Sequence, residues 1–507
     1  MSSYDGLNVF YGDLHSHCAV SYAHGPLADA LENARTQLDF VSITGHAAWP
    51  DMPEPDDRIQ HIIDFHNQGF EKLRTSWPSY LETCARASRD GEFVVFPGYE
   101  IHSCRDGDYT FVFREADAAL VIDDSIGGVQ RQLRGRFGRR ALGFPHHVAY
   151  PRGSRGINWD SFDSEVTPLV EILSMHGISE SCDSPRPYLH SMGPIDGDST
   201  VQRGLALGHR FGFLGNTDHH SAFPGSYGHG KTGVWARELT RDGIWEALTA
   251  GRTFALTGDR VALELTVAEC LMGERLGRQL RDTDLCHYGL ESSYAIESVE
   301  LVADGRVTHR RDVQPPAEPL DEEFVSQLFV EVGWGEKRSV CAWDVDLEVD
   351  GEILGVEPKF RGMEVVSPLE RDRSLDMPFR NGAWQRLADS RIQFTVTSQG
   401  NPTNTTPTTQ GIGLEVRLAP GSELRATFNG QTVAVPAQRL LGGSYARNLD
   451  KIDSPSFRLH RLPHPGELRV RETLSVARAI GQTCCYCYAR VRLRNGQLVF
   501  SSPVFFG

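Results

Sequence analysis

The chain has 507 residues, and its 67 acidic residues outnumber 51 lysines and arginines, which gives a formal net charge of −16. This acidic balance argues against a nucleic-acid partner, because phosphate backbones are bound by basic surfaces. Hydrophobic residues make up 40% and charged residues 23%, an ordinary globular composition that excludes a disordered or collagen-like chain.

The length predicts two or three domains, since one domain usually takes ~100–200 residues. No apolar run reaches the ~18–20 residues that cross a bilayer. The start of the sequence lacks the basic and apolar segments of a secretory signal. The ten cysteines are scattered, which is typical of reduced thiols. We therefore expect a cytoplasmic protein without a membrane partner.

Up to residue 258 the sequence alternates between apolar runs and helical patterns. Runs that predict buried strands lie at 8–14, 40–44, 93–97, 109–113, 141–144, 169–173 and 211–214, and helical periodicity lies at 27–37 and 77–88. Strand–helix repetition predicts parallel strands with helical crossovers. The predicted fold is α/β, a closed or nearly closed seven-stranded (β/α) barrel of the TIM type, with its active site at the carboxyl ends of the strands.

After Gly258 the pattern changes to short alternating runs, at 261–267, 296–302, 329–332, 413–417 and 489–493, separated by turn residues. This spacing predicts an all-β, sandwich-like region. Of the 19 histidines, 15 precede residue 230, so chemistry is expected in the first half. We predict two domains, 1–258 and 259–507. Trp334 and Trp343 fit either a core or a ligand-facing surface, and the role of the second domain stays open.

Ionisable residues follow the predicted strands where each one ends. They are His15 and His17 after the first strand, His46 after the second, Glu100 after the third, His146 and His147 after a later one, Glu171 and His176 after the next, and Asp218 and His220 after the last. Alternate residues of a strand point to the same side, so each His-x-His or Asp-x-His pair can chelate one ion. Imidazoles with carboxylates suit Zn²⁺, Mn²⁺ or Fe²⁺, and Glu100 can bridge two ions.

Three motifs resemble the PHP (polymerase and histidinol phosphatase) superfamily, in its branch with a β-rich C-terminal extension. They are Gly-Asp-Leu-His-Ser-His at 12–17, Thr-Asp-His-His at 217–220 with Pro-Gly-Ser-Tyr-Gly at 224–228, and Gly-Arg-Thr-Phe-Ala-Leu-Thr-Gly at 251–258. The likeness covers roughly residues 8–260. It implies a distorted seven-stranded barrel holding two or three metal ions that hydrolyse phosphate esters, or carboxylic and carbamate esters in some relatives.

The resemblance also implies a ligand for each ion. His15 and His17 would bind the first ion with Asp218 and the shared Glu100. His46 and His220 would bind a second ion, with His24 as a further candidate. His146 would belong to a third position beside Glu100, and His147 is an equally placed neighbour that the sequence does not separate from it.

The chain departs from the family pattern at three places. Gly45 stands where the family usually has an Asp that orients the histidine of the second strand. A third-site histidine is replaced by a stretch that offers only Asp106 or Asp108, with His102 close to Glu100. The spacing from His17 to His24 is also unusual. The sequence therefore fits a centre of one, two or three ions.

Other rim residues are candidates for proton transfer and substrate binding. His176, His147 and His219 flank the proposed ligands and can donate a proton to a leaving group. Arg152, Arg155 and Lys231 follow rim motifs and can receive an anionic group, although solvated surface charges would look the same in sequence.

The predicted function is a metal-dependent hydrolase that uses a metal-activated hydroxide to cleave a phosphoester or related ester of a small molecule. The sequence is compatible with an oligomer. A carboxylic ester or carbamate hydrolase on the same centre is one alternative. A non-catalytic, metal-containing ligand-binding protein is the other.

Overall fold

A computed structural model describes residues 4–189, 192–316, 320, 322–363, 377–400 and 408–507. Its described residues up to 256 form ten strands and five α-helices. The strands are β1 (Asn8–Asp13), β2 (Phe40–Ala48), β3 (Val94–Ile101), β4 (Tyr109–Phe113), β5 (Ala141–Pro145), β6 (Leu169–Ser174), β7 (Gly177–Ile178), β8 (Gly212–Gly215), β9 (Lys231–Ala236) and β10 (Thr253–Leu256). The helices are α1 (Leu27–Gln37), α2 (Gln60–Ala87), α3 (Ile126–Phe137), α4 (Val201–Ala206) and α5 (Arg241–Thr249).

Most of these strands lie in one mixed sheet, in the order β10-β9-β1-β2-β3-β4-β5. Only β1–β2 and β2–β3 pair in parallel, and the other neighbours are antiparallel. A second small sheet has the order β7-β6-β8. Apolar residues of α1, α2 and α3 pack on the main sheet in one buried cluster. Within the described residues, no helix combines the length and apolarity needed to cross a membrane.

Among the described residues, the strands do not form the predicted closed seven-stranded barrel. The ring is open between β5 and β6 and between β8 and β9, because neither pair shares a ladder. At the second opening the Thr232 hydroxyl donates to the Gly215 carbonyl at 2.7 Å and lies 3.2 Å from the Gly215 amide, so a side chain takes the place of backbone pairing. The coarser prediction is confirmed: the chain is mixed α/β with a large β-rich portion.

The second half of the chain is built mainly of strands. They are β11 (Val261–Val267), β12 (Cys270–Leu271), β13 (Arg275–Leu276), β14 (Leu285–Ser292), β15 (Ile296–Ala303), β16 (Arg306–Asp312), β17 (Phe324–Gly333), β18 (Val340–Val349), β19 (Gly351–Pro358), β20 (Gly382–Ala388), β21 (Arg391–Gln399), β22 (Gln410–Leu418), β23 (Glu423–Phe428), β24 (Gln431–Pro436), β25 (Tyr445–Asn448), β26 (Ser456–Leu459), β27 (Arg469–Ser475), β28 (Tyr486–Leu493), β29 (Leu498–Ser501) and β30 (Val504–Phe506). Two short helices join them, α6 (Ala437–Gly442) and α7 (Val476–Ala479).

Two five-stranded sheets, β19-β22-β17-β26-β25 and β20-β21-β18-β23-β24, enclose one apolar core. Burial alternates along β18 and β21, as expected for strands with one face in a core. Trp343 lies in this core with 2% of its surface exposed, whereas Trp334 is 42% exposed. Of the five alternating runs predicted after residue 258, 329–332 and 413–417 lie in this sandwich, whereas 261–267, 296–302 and 489–493 lie in other sheets. The two tryptophans have different environments.

The main sheet continues across the predicted boundary at residue 258. β10 pairs antiparallel with β29, which places Ala255 opposite Phe500. From β29 the sheet extends through β28, β30 and β13, with β15 and β16 on a side branch. A separate sheet, β12-β11-β14-β27, packs against this extension through a second apolar cluster. The domain limits 1–258 and 259–507 stay a prediction. The last strands of the chain, β28, β29 and β30, belong to the same sheet as β1.

Candidate metal centre

Two extended segments run side by side where β1 and β8 end. The Asp218 amide donates to the His15 carbonyl at 2.8 Å, and the His17 amide donates to the His219 carbonyl at 2.8 Å. Side chains alternate along each segment, so His15, His17, Asp218 and His220 face one cluster. Asp218 has φ 51°, in the left-handed region that a non-glycine residue seldom adopts. Strained backbone of this kind concentrates at functional sites.

The carboxylate of Asp13 holds these two segments together where they meet. Its carboxylate accepts hydrogen bonds from the amides of His15 at 3.1 Å, Thr217 at 3.2 Å and Gly225 at 2.9 Å. Burial raises the pKa of Asp13 to about 6, although these donors act in the opposite direction. Asp13 therefore positions the residues around it and belongs to none of the groups of potential ligands among the described residues.

Four potential ligand atoms meet in the first group, which consists of His15, His17, Glu100 and Asp218. His15 Nε2 lies 3.1 Å from both His17 Nε2 and Glu100 Oε2. Asp218 Oδ1 lies 2.9 Å from His17 Nε2 and 3.4 Å from His15 Nε2. A tetrahedral ion with ligand bonds of ~2.0–2.1 Å separates its ligands by about 3.3 Å. The spacing of the four atoms therefore fits a small divalent ion.

Glu171 determines which nitrogen of His15 faces the group. Its Oε2 lies 2.9 Å from His15 Nδ1 and also accepts a hydrogen bond from the side-chain Nδ2 of Asn216 at 2.9 Å. A carboxylate on Nδ1 makes that nitrogen the donor, which leaves the lone pair of Nε2 directed at Glu100 and Asp218. Lone pairs that face carboxylate oxygens repel unless a cation or an extra proton lies between them, and the carboxylate–histidine pair is typical of metal sites.

His46 and His220 present their Nε2 atoms in the same way. The Ser21 hydroxyl lies 3.2 Å from His46 Nδ1 and accepts from the His46 amide at 3.1 Å. Ser21 thus holds the His46 ring in place. His220 Nδ1 donates to the Asp218 carbonyl at 2.9 Å. The Nε2 or Nδ1 atoms of His17, His46 and His220 lie within 4.8 Å of one another and form a second group.

A third group consists of Asp108, His146 and His147. His146 Nε2 lies 3.3 Å from Glu100 Oε1 and makes no hydrogen bond to the described residues although it is buried. His147 Nε2 lies 3.4 Å from Asp108 Oδ2. Both histidines therefore reach the centre, and Glu100 contacts the first and the third group through its two oxygens.

Sequence reasoning left two residues of this region unassigned. His102 Nδ1 lies 3.0 Å from Glu100 Oε1 and 2.9 Å from Asp108 Oδ2, and its Nε2 lies 2.7 Å from the Tyr22 hydroxyl. Asp108 is completely buried, whereas Asp106 bonds to the Ser161 hydroxyl at 3.2 Å outside the centre. The sequence offered Asp106 and Asp108 as equal candidates for the third site, and of the two the structure places Asp108 in a group of potential ligands.

The charges of the centre are balanced mainly between acids and imidazoles. Burial alone would raise the pKa of Glu100, but the facing His46, His146 and His102 rings hold it well below its usual range. Burial lowers the pKa of His46 and His220 well below the ordinary value. Neutral imidazoles and ionised carboxylates are the forms that ligate metal. The donor set and the unpartnered Nε2 of His146 fit divalent transition-metal ions.

Three predicted histidines have different positions. His176 Nε2 lies 2.9 Å from Asp218 Oδ2, and both belong to a further group with His220. His219 points the other way: its Nδ1 accepts from the Ser221 amide at 3.1 Å, and its ring lies 5.5 Å from that of His229. The structure does not bring the His24 side chain into any group of potential ligands among the described residues, although its amide donates to the His220 carbonyl.

The three predicted substrate-binding cations are also dispersed. Arg152 is exposed and bonds to Asp160 at 3.0 Å. Arg155 lies at the centre, with its Nε 2.7 Å from Asp108 Oδ2. Lys231 is buried at the junction with the β-sandwich, 4.0 Å from Glu357 Oε1, and its Nζ has no hydrogen bond to the described residues. Of the three, Arg155 alone contacts a residue of the groups described above.

No protein-family model matches the chain. Three uncharacterised chlamydial proteins are similar to part of it. They come from Chlamydia pneumoniae (27% identity over 184 residues, 33% of this chain and 29% of that protein), Chlamydia muridarum (24% over 169 residues, 30% and 27%) and Chlamydia trachomatis (25% over 169 residues, 30% and 27%). The match spans less than a third of the length of these relatives.

One solved structure aligns with most of the chain. It is a two-domain protein from Bacteroides vulgatus that contains a predicted PHP-like metal-dependent phosphoesterase. The alignment covers 85% of this chain and 96% of that one, with 14% identity and a TM-score of 0.33. A likeness this distant assigns neither fold nor activity, so the function has to be argued from the centre itself.

Proposed function

We propose that the chain is a metal-dependent hydrolase that cleaves a phosphoester or a related ester of a small molecule. The observation that carries the proposal is the buried meeting of His15, His17, Glu100 and Asp218 at ligand spacing. Unpaired charges and polar atoms are costly to bury, so a chain keeps such a cluster only when its members are paired or bind a cation. The resemblance of the sequence to the PHP superfamily supports the same reading.

His15, His17, Glu100 and Asp218 would hold a first ion, and His46 with His220 a second. Ions held in this way lower the pKa of water toward neutrality and polarise the oxygen of an ester. Zn²⁺, Mn²⁺ and Fe²⁺ all suit this mixture of imidazole and carboxylate. Glu100 and Asp218 supply the negative charge that makes the site selective for cations.

His176 is the residue best placed to move a proton. Its Nε2 lies 2.9 Å from Asp218 Oδ2, and its Nδ1 has no hydrogen bond to the described residues. A protonated His176 can give that proton to a leaving alkoxide, because histidine is the side chain that most often acts as a general acid. The His147 ring lies 5.9 Å from that of His176, its Nε2 lies 3.4 Å from Asp108 Oδ2, and its Nδ1 is likewise unpartnered among the described residues.

Aromatic rings pack against two of the histidines of the centre. The Tyr22 ring stacks on His46 with a centroid distance of 3.7 Å, and the Trp49 ring lies 5.3 Å from His102. Low local polarity strengthens every charge interaction inside such a site. A substrate ester bound there would therefore meet the cations with little competition from solvent.

The test uses the full chain, stripped with chelator and reloaded with Mn²⁺ or Zn²⁺. p-Nitrophenyl phosphate, p-nitrophenyl acetate and an aryl carbamate separate the three ester chemistries. We expect one of them to be hydrolysed only after reloading, and His17→Ala to lower the rate by at least about 100-fold. His61→Ala, an exposed histidine of α2, is the matched control. A metal-loaded protein that hydrolyses none of the three would instead favour a ligand-binding protein.

A further inference from the structure

We propose that the guanidinium of Arg155 occupies the place of a third ion, so that the centre holds two metal ions and one fixed organic cation. The inference rests on the proposed metal centre and concerns its third group, Asp108, His146 and His147. These three side chains have ligand spacing, with their potential ligand atoms within 4.8 Å of one another. This group differs from the first group because its acid, Asp108, is already paired with Arg155.

Both oxygens of Asp108 are in use. Oδ1 accepts from the Ser103 amide at 3.0 Å. Oδ2 accepts from Arg155 Nε at 2.7 Å, contacts Arg155 Nη2 as well, and lies 2.9 Å from His102 Nδ1. A guanidinium paired with a fully buried carboxylate, as here, is among the strongest hydrogen-bonded contacts in proteins. A divalent ion would reach Asp108 only by displacing Arg155 or by lying beside its positive charge.

Arg155 is held in this position from several sides. Its Nη2 also lies 2.9 Å from His102 Nδ1, and its guanidinium lies 5.6 Å from the centre of the Trp49 ring. The residue has φ 72°, a left-handed conformation that the chain maintains although no glycine is present. The guanidinium is therefore fixed against Asp108 and is not a flexible surface charge.

The acids of the first group differ from Asp108 in their ion-pair partners. Glu100 and Asp218 form ion pairs only with imidazoles among the described residues. Imidazoles lose their protons to admit a metal ion, whereas a guanidinium stays charged at any pH that a protein tolerates. A permanent positive charge therefore lies against the acid of the third group, and against neither acid of the first group among the described residues.

The number of ions per chain tests this directly. The wild type and two variants, Arg155→Gln and Arg152→Gln, are dialysed against excess Mn²⁺, desalted and analysed by mass spectrometry of the metal. We expect two ions in the wild type and in Arg152→Gln, whose arginine is exposed and paired with Asp160. Arg155→Gln keeps a side chain with the same backbone demands but removes the charge, and we expect three ions.

Three ions in the wild type, or two in a folded Arg155→Gln variant, would overturn the inference and leave the proposed hydrolase standing. A wild type that retains no ion would overturn both. If Arg155→Gln does not fold, anomalous diffraction from wild-type crystals grown with Mn²⁺ decides. Two peaks with Arg155 still on Asp108 support the inference, and a peak between Asp108 and His147 contradicts it.

Discussion

At the scale of single residues, Glu171 has the clearest role outside the ligands themselves. It bonds to His15 Nδ1 and so directs His15 Nε2 toward Glu100. Glu171→Gln keeps the shape but loses the charge that makes His15 a strong ligand. We expect its affinity for Zn²⁺ to fall 10- to 100-fold, in the range typical of residues that orient metal-bound histidines. Competition with a chelating dye measures this.

The matched control is Glu165→Gln, since Glu165 is an exposed acid near the start of β6. Its affinity for Zn²⁺ should equal that of the wild type. If Glu171→Gln also binds as tightly as the wild type, then Glu171 does not support a ligand, and the tautomer argument for His15 is wrong.

Lys231 predicts a pH dependence of stability. Burial lowers the pKa of its amine from 10.5 to about 8. The folded chain therefore loses this proton before the unfolded chain does, so stability gains up to about 3 kcal/mol between pH 8 and 10.5. Below pH 8 the buried charge destabilises fully. Lys231→Met should thus be more stable than the wild type at pH 7, and its advantage should shrink as the pH rises.

Melting temperatures of the two proteins at pH 7, 8, 9 and 10 check this expectation. Lys337→Met, which removes an exposed lysine, serves as the control and should show no such trend. A Lys231→Met variant whose advantage is independent of pH would show that the amine is already neutral at pH 7.

Alternation along a strand made part of the centre predictable. Asp-x-His and His-x-His pairs after apolar runs share a side by geometry alone, so His15, His17, Asp218 and His220 were named together. Asp108 was named only as an alternative to Asp106, and His102 only as a neighbour of Glu100, because both reach the centre through the turn between β3 and β4. His24 was named from the resemblance to the PHP superfamily, although its spacing from His17 is unusual, and a resemblance in sequence does not show where a loop side chain points. Metal binding by any of these residues remains a prediction.

At the scale of elements, the end of the chain supports β8. The Phe213 amide donates to the Ser502 hydroxyl at 2.8 Å, and that hydroxyl lies 2.8 Å from the Thr253 hydroxyl. Ser502→Ala would leave a buried amide without a partner, which costs about 1–3 kcal/mol. We expect the melting temperature to fall by about 1 °C for each kcal/mol, because the unfolding entropy of a 507-residue chain is about 1 kcal/mol/K.

Ser154→Ala is the control for this change, because Ser154 is exposed in a loop. Its melting temperature should match that of the wild type. An unchanged melting temperature in Ser502→Ala would mean that another group satisfies the Phe213 amide, and that the C-terminal strands stabilise β8 less than the contacts indicate.

The open sheet shows where element prediction stopped. Apolar runs located most strands of the first half, but they carry no information on direction. β4, β5 and β9 pair antiparallel with their neighbours, so the strand–helix repeat that defines a closed barrel is interrupted. Thr232 adds a side-chain bridge at one opening, which no periodicity reveals.

At the scale of the whole molecule, the two halves share a sheet while the candidate centre belongs to the first. The change from mixed to purely alternating patterns placed a boundary near residue 258. β10 is nevertheless hydrogen-bonded to β29 across it. Pairing between strands some 240 residues apart depends on tertiary structure, whereas composition and periodicity are local. The sequence therefore indicated that the two halves differ in secondary structure, but not that they share a sheet.

The central claim is that His15, His17, Glu100 and Asp218 bind a metal ion. Its most direct test is the metal content of the full chain after chelation, reloading with Zn²⁺ and desalting, compared with Asp218→Ala and with the exposed-site control His61→Ala. The account predicts bound zinc in the wild type and in His61→Ala, and loss of at least one ion in Asp218→Ala with the circular-dichroism spectrum unchanged. A wild type that retains no zinc, or an Asp218→Ala variant that retains as much, contradicts it.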